Sequence, residues 1–176
     1  GGKPILWHIM KYYAHWGHKE FILCLGYQGQ VIRDFFLSYE THTNDFTITL
    51  GKNKSLEFHS GHREEGWRVT LAKTGQASLT GARVQRIKPY IGKDENFMLT
   101  YGDGVGNIPL DRLLSFHKDH GKIMTVSGVR PPGRFGELMG DANSKIVEFN
   151  EKPQASGGRI SGGFFVCNRK LFDYLE

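Results

Sequence analysis

The sequence predicts an α/β protein, with a mostly parallel sheet, helices on both faces and antiparallel additions near one rim. Three observations carry that reading. Apolar stripes at helical spacing alternate with apolar runs of strand length, as in Ile5, Leu6, Ile9, Met10 and Tyr13 before Glu20–Leu25. Short alternating segments between Asp45 and Thr70, split by glycine-rich turns, read as an antiparallel excursion. Asp103 sits in Thr100-Tyr101-Gly102-Asp103-Gly104, directly after the apolar run Phe97-Met98-Leu99, at the carboxyl end of a strand, where open α/β sheets bind their ligands.

Taken in order, the first helix stops at Gly17, and the strand Glu20–Leu25 turns at Gly26-Tyr27-Gln28-Gly29 into a second helix whose stripe is Val31, Ile32, Phe35 and Phe36. Phe46–Leu50, Ser55–Phe58 and Trp67–Leu71 come next as strands. A helix from about Gly81 to Tyr90, with Thr80 as its N-cap, precedes the strand ending at Asp103. Pro109–His120 reads as a helix with proline in its first turn, and Met124–Ser127 as a strand. Phe135–Leu138, Lys145–Phe149 and Ile160–Val166 are short strands joined by turn-rich stretches that include Gly140–Asn143. Arg169–Leu175 again reads as helical.

A chain of 176 residues suits one domain with a real core, so residues 1–176 are expected to form a single domain. Gly1 is not an initiator methionine and Glu176 falls within a helix-like segment, so the domain is expected to be truncated at both termini. The formal charge of +5 is scattered, without the basic block that nucleic-acid binding usually needs, and suits small anionic ligands. No run of 18 apolar residues predicts a membrane span. Cys24 and Cys167 sit in apolar strands without metal or disulfide spacing, and are expected to be buried reduced thiols of a cytoplasmic protein.

Five motifs carry chemistry. Thr100-Tyr101-Gly102-Asp103-Gly104 places a carboxylate between glycines that admit a close ligand, and one carboxylate with substrate phosphates is a common way to hold Mg²⁺. Asp-Gly after a strand is equally ordinary turn chemistry, and the motif alone leaves both readings open. Glu151-Lys152-Pro153 joins a carboxylate able to accept hydroxyl hydrogen bonds to an ammonium suited to phosphate. Pro131 to Gly136 is a stiffened loop in which Gly136 leaves room for backbone contact. Ser161-Gly162-Gly163 puts paired glycines inside a strand, the mark of a bulge or a close approach. Thr80-Gly81-Ala82-Arg83 sets a guanidinium beside the free N–H groups of a helix start.

In this order and on this layout the chain resembles the sugar-nucleotide pyrophosphorylases, nucleotidyltransferases of Rossmann-like, glycosyltransferase-A-like fold, and among them the glucose-1-phosphate cytidylyltransferases. Gly2 to Lys11, Thr70-Leu71, Thr74-Gly75, Thr80-Gly81, Thr100 to Gly104, Pro131 to Gly136 and Gly162 to Val166 carry the likeness. The resemblance implies conversion of CTP and α-D-glucose 1-phosphate to CDP-glucose and pyrophosphate with Mg²⁺. It implies Asp103 as metal ligand and catalytic residue, with Lys152 as a second catalytic residue on the sugar phosphate. Glu151, Ser161 and the backbones of Gly136 and Gly163 would bind the sugar; Thr80, Gly81, Arg83 and Gly102 would bind the nucleotide. The likeness also implies a homo-oligomer for the intact protein.

Ser161 replaces the family's usual Asn and Ala82 its usual Gly. The glycine-rich loop before this region and the second metal-binding Asp do not occur in the sequence, so the piece itself is expected to show little or no activity. The alternative from another class is a non-catalytic nucleotide-sugar-binding or regulatory domain derived from this family. His117 and His120 lie in a charged segment and read as solvated, while His8, His15 and His18 read as structural.

Overall fold

In a computed structural model, residues 2–61, 64–130, 137–150 and 158–175 are described. They form two compact units, one of residues up to Glu95 together with the segment from Arg169, the other Asn96–Asn168.

In the first unit, α1 (Ile5–His15) buries Ile9, Met10 and Tyr13, the apolar stripe of the sequence. It ends where Gly17 takes φ of 87°, with its N–H donating to Ala14 O and the His18 N–H to Tyr13 O. Paired bonds of this kind satisfy the last carbonyls of a helix and favour glycine at the turn. Strand β1 (Glu20–Leu25) comes next, then α2 (Gly29–Leu37) and the short α3 (Tyr39–Thr43). An antiparallel hairpin of β2 (Phe46–Thr49) and β3 (Ser55–Phe58) leads to β4 (Arg68–Lys73), which pairs in parallel with β1 from Glu20↔Arg68 to Leu25↔Lys73.

Beside these strands an aromatic group forms: Trp7 packs on Trp67, Phe21 packs on Trp67, and the Trp7 Nε1–H donates to the Tyr39 hydroxyl at 2.7 Å. Lys11 lies over Trp7 and Trp67 and pairs with the buried Glu64 at 2.7 Å. Burial pushes the Tyr39 hydroxyl up to about 12.

The expected helix over 81–90 is two pieces. Helix α4 spans Thr80–Arg86, and a 3₁₀ turn covers Lys88–Tyr90. Pro89 supplies no N–H and cannot continue the α-helical ladder. Thr80 is also not the N-cap: Leu79 holds the extended cap position, without a side-chain cap bond, and Thr80 is the first helical residue. At its other end the unit takes in a 3₁₀ turn, Arg169–Asp173, rather than the helix the sequence suggests, and buries Phe172 beneath Lys88.

The second unit is built on β5 (Asn96–Thr100), β6 (Met124–Val129) and β9 (Ile160–Asn168), with β9 in the middle and antiparallel to both neighbours. Strands β5 and β6 therefore run the same way, but among the described residues hydrogen-bonded parallel pairing between strands is confined to β1 and β4. Helix α5 (Leu110–His120) begins after Pro109, which is its N-cap. A separate hairpin joins β7 (Glu137–Gly140) to β8 (Ile146–Asn150), and its turn is closed by Asp141, whose Oδ1 accepts from the N–H groups of Asn143 and Lys145.

Helix α5 corrects the reading of His117 as solvated. Leu110 and His117 are buried, at 0% and 2% exposure, because residues seven apart share one helix face. The Lys122 N–H donates to His120 Nδ1, which leaves His120 Nε2–H to donate to Thr125 Oγ1 at 2.7 Å. The Thr125 hydroxyl is 2.8 Å from His117 Nδ1, and His117 Nε2 is 3.1 Å from Asn96 Oδ1. This relay ties α5 to β5 and β6.

Both cysteines are free; Cys167 is buried and Cys24 half-buried. Among the described residues no helix is long and apolar enough to cross a membrane.

Replacing His117 with Ala removes a buried side chain and one bond each from Thr125 and Asn96, which keep His120 and Asn168 as partners, so it should cost about 2–4 kcal/mol in urea unfolding. Burial raises the Cys167 thiol from 9.0 to about 11, so above pH 9 the unfolded chain loses a proton that the folded chain keeps. The contribution to stability is complete below pH 9 and is lost as pH rises to about 11. Urea titrations across that range should show the decline, and Cys167→Ala should flatten it.

Candidate functional site

In the first unit the candidate region is the carboxyl end of the parallel pair β1–β4. Leu25 closes β1, and its carbonyl oxygen accepts from both the N–H and the hydroxyl of Thr74, at 3.0 and 3.1 Å. Thr74 is fully buried, and its hydroxyl oxygen also accepts from Arg83 Nη1 at 2.9 Å. The same guanidinium donates through Nε to Ser78 O at 2.9 Å and through Nη2 to Gln76 O at 3.2 Å. Arg83, expected at the nucleotide, therefore spends its donors on the turn between β4 and α4.

This arrangement requires Gly26. A Cβ there would lie 2.5 Å from both Arg83 terminal nitrogens. The guanidinium also acts on Cys24: burial raises this thiol and the nearby Arg83 charge opposes the rise. Thr80 is exposed at the start of α4, and a Cβ on Gly81 would make only ordinary contact with Leu175, at 3.6 Å.

In the second unit the candidate region lies at the end of β5. Gly102 and Asp103 lie just beyond Thr100 in an exposed segment, and among the described residues no side chain bonds the Asp103 carboxylate. Among the described residues a Cβ on Gly102 or Gly104 would meet nothing within 4 Å, so there is open space at the glycine on each side of Asp103. Strand β9 brings its glycines alongside, since Thr100 pairs with Phe164. Gly163 has φ of 78°, and a Cβ there would stand 3.0 Å from the Tyr101 ring. Ser161 Oγ accepts from the Gly163 N–H at 3.3 Å. A Cβ on Gly162 would lie 2.6 Å from Ser127 Oγ, beside the register shift between Val126 and Gly128. The paired glycines thus serve both of the roles expected from sequence: irregular backbone and close approach.

Asp103 follows β5, and Ser161–Gly163 lie on β9, the strand that pairs with β5, while Thr80, Gly81 and Arg83 belong to the other unit. Gly136, Glu151 and Lys152 lie outside the described residues. Among the described residues no group of three His, Cys, Asp or Glu side chains could hold a metal ion; Asp103 itself contributes one carboxylate. An exposed, unbonded carboxylate with open space at its neighbouring glycines fits Mg²⁺, which takes one or two carboxylates and completes its shell with phosphate and water.

Three participants escape sequence reading. Gly26 reads only as a turn residue, and Ser127 as part of a strand. Arg86 sits one helical turn beyond Arg83, a spacing visible in the sequence, but its acceptors, Thr74 O and Ser78 Oγ, are not.

A family model described as nucleotidyl transferase matches residues 1–176. The glucose-1-phosphate cytidylyltransferase of Salmonella typhi is 46% identical over 176 residues, covering 100% of this chain and 67% of that protein. The probable glucose-1-phosphate cytidylyltransferase of Bacillus subtilis is also 46% identical, over 99% of this chain and 66% of that protein. The chain thus spans about two thirds of the length of these curated relatives. Among solved structures, HddC from Yersinia pseudotuberculosis aligns over 98% of this chain and 67% of its own, with a TM-score of 0.62 and 21% identity, a likeness of fold.

Gly26→Ala should cost about 1–3 kcal/mol in urea unfolding through overpacking against Arg83. In an Arg83→Ala background the same change should cost less than about 1 kcal/mol, and the difference read from the double-mutant cycle measures the contact.

Proposed function

The chain belongs to the nucleotidyl transferase family, and from that membership we propose that the intact protein transfers a cytidylyl group from CTP to α-D-glucose 1-phosphate, yielding CDP-glucose and pyrophosphate. The observation that carries this reading is the 46% identity, across the whole chain, to glucose-1-phosphate cytidylyltransferases. The Rossmann-like, glycosyltransferase-A-like nucleotidyltransferase fold expected from the sequence accompanies the membership.

The chemistry asks little of a general base. A phosphate monoester has its second pKa near about 6 and is largely dianionic at neutral pH, so a sugar-phosphate oxygen is already a nucleophile. That oxygen attacks the α-phosphorus, a new P–O bond forms, and the bond to the pyrophosphate oxygen breaks. What remains is alignment and relief of charge. Mg²⁺, when bound, screens the negative charge of the phosphates. Asp103 would hold it, from a strand end where the flanking glycines leave room for phosphate. Lys152 would meet the sugar phosphate; Glu151, Ser161 and the backbones of Gly136 and Gly163 would hold the glucose hydroxyls. Thr80, Gly81, Arg83 and Gly102 would flank the nucleotide, Arg83 chiefly by holding the turn after β4.

Pyrophosphate release and CDP-glucose formation by the intact protein test the reading, and a strong preference for UTP or dTTP over CTP would overturn it. Asp103→Asn keeps the size of the side chain and removes its charge. It should lower kcat by roughly 10²–10³-fold, the scale for loss of one electrostatic contact at the reacting centre, with little change in the thermal unfolding midpoint because the carboxylate is exposed.

A further inference from the structure

We infer that Arg86 is a positioning residue for nucleotide binding, acting through the turn between β4 and α4; this rests on the reading of the protein as one that takes a nucleoside triphosphate. The turn lies outside the carboxyl ends of a parallel strand pair, where α/β sheets place ligands. Gly75, Gln76 and Ala77 are exposed, yet charged side chains of α4 tie down the segment around them. Arg86 Nη1 donates to Thr74 O and to Ser78 Oγ, while Arg83 takes Gln76 O, Ser78 O and Thr74 Oγ1.

Two arginines three positions apart share one face of α4, so both guanidinium groups reach the same turn. Gly75 fits the clamp in two respects: its φ is 95°, and a Cβ would stand 2.5 Å from both Arg86 Nη1 and Ser78 Oγ.

The clamp divides the backbone of the turn. Carbonyl groups at Thr74, Gln76 and Ser78 are taken up by the arginines. The N–H groups of Gly75, Gln76, Ala77 and Ser78 donate to no acceptor among the described residues. A fixed exposed row of amide donors is suited to a ligand rich in acceptors, such as the base edge or phosphates of a nucleoside triphosphate. Arg86 fixes where those donors stand without itself touching the ligand.

The experiment is a steady-state comparison in the intact protein with CTP and glucose 1-phosphate varied separately. Arg86→Gln should raise the KM for CTP about tenfold, the scale of one lost charge-assisted hydrogen bond, and leave the KM for glucose 1-phosphate within about twofold. Arg86→Lys, which keeps the charge and reaches one acceptor, should recover part of the loss. Should Arg86→Gln not fold, Ser78→Ala removes one acceptor alone and should move the CTP KM in the same direction by a smaller factor. An unchanged CTP KM in these variants, or an equal rise in both KM values, overturns the inference. Failure of the cytidylyl reading shows separately, in the wild type: if UTP is preferred, the same split measured with UTP supports the role of Arg86, and its absence overturns it.

Discussion

The carbonyl oxygen of Leu25 is the fixed point of the first unit. Two donors from Thr74, one backbone and one side chain, converge on it and bring the ends of β1 and β4 to the same level. The hydroxyl that donates to Leu25 also accepts from Arg83, so the strand ends are locked to α4 by a single buried oxygen. A threonine suits this place because a hydroxyl donates one hydrogen bond and accepts others, whereas an isosteric valine would leave Leu25 O with the backbone donor alone and take the acceptor from the half-buried Arg83 Nη1.

That lock separates interior from rim. Behind it, the first unit is held by α1 packing and by aromatic contacts around Trp7, Trp67 and Tyr39. In front of it, an exposed turn is held by charged donors from α4 rather than by apolar burial. Loops at sheet rims are usually the least stable part of a fold because few apolar contacts cross them. Arginine offsets that deficit, because a planar guanidinium can satisfy several carbonyls at once with little further loss of side-chain freedom.

Much of the fold is legible in the sequence because it is dictated by period. The helices α1 and α2, the strands β1, β5 and β9, and the antiparallel β2–β3 hairpin occur where the apolar residues place them. His117 is also legible in principle: with Leu110, Leu113 and Leu114 it completes the i, i+3, i+4, i+7 stripe of α5, and the surrounding charges mask that position. The cap of α4 is not legible, because Leu79 and Thr80 both permit a helix start and only the backbone angles decide between them. Nor is the insertion of β9 between β5 and β6, since period reports which face a strand buries and not which strand it pairs with. At the site, Asp103 and the paired glycines are visible as motifs. The use of Arg83 and Arg86 on backbone carbonyls is not, because every residue has a carbonyl and sequence does not mark which ones go unpaired.

The two strand ends begin from similar sequence, threonine followed closely by glycine, and arrive at opposite physical states. After β4, Thr74 and Gly75 enter a turn whose carbonyls are taken by two arginines, so its geometry is settled before any ligand arrives. After β5, Thr100 leads through Gly102 to a carboxylate that no described side chain bonds, with open space at the glycine on each side. Pre-set geometry suits discrimination, because a rigid row of donors rejects a ligand whose acceptors do not match it. An unpartnered carboxylate suits capture of charge, because its full electrostatic effect is available to a cation and is not already spent on a protein partner. In an enzyme that must select one nucleotide and relieve the charge of its phosphates, these are separate tasks. On the proposed reading, the clamped turn serves the first of them and Asp103 the second.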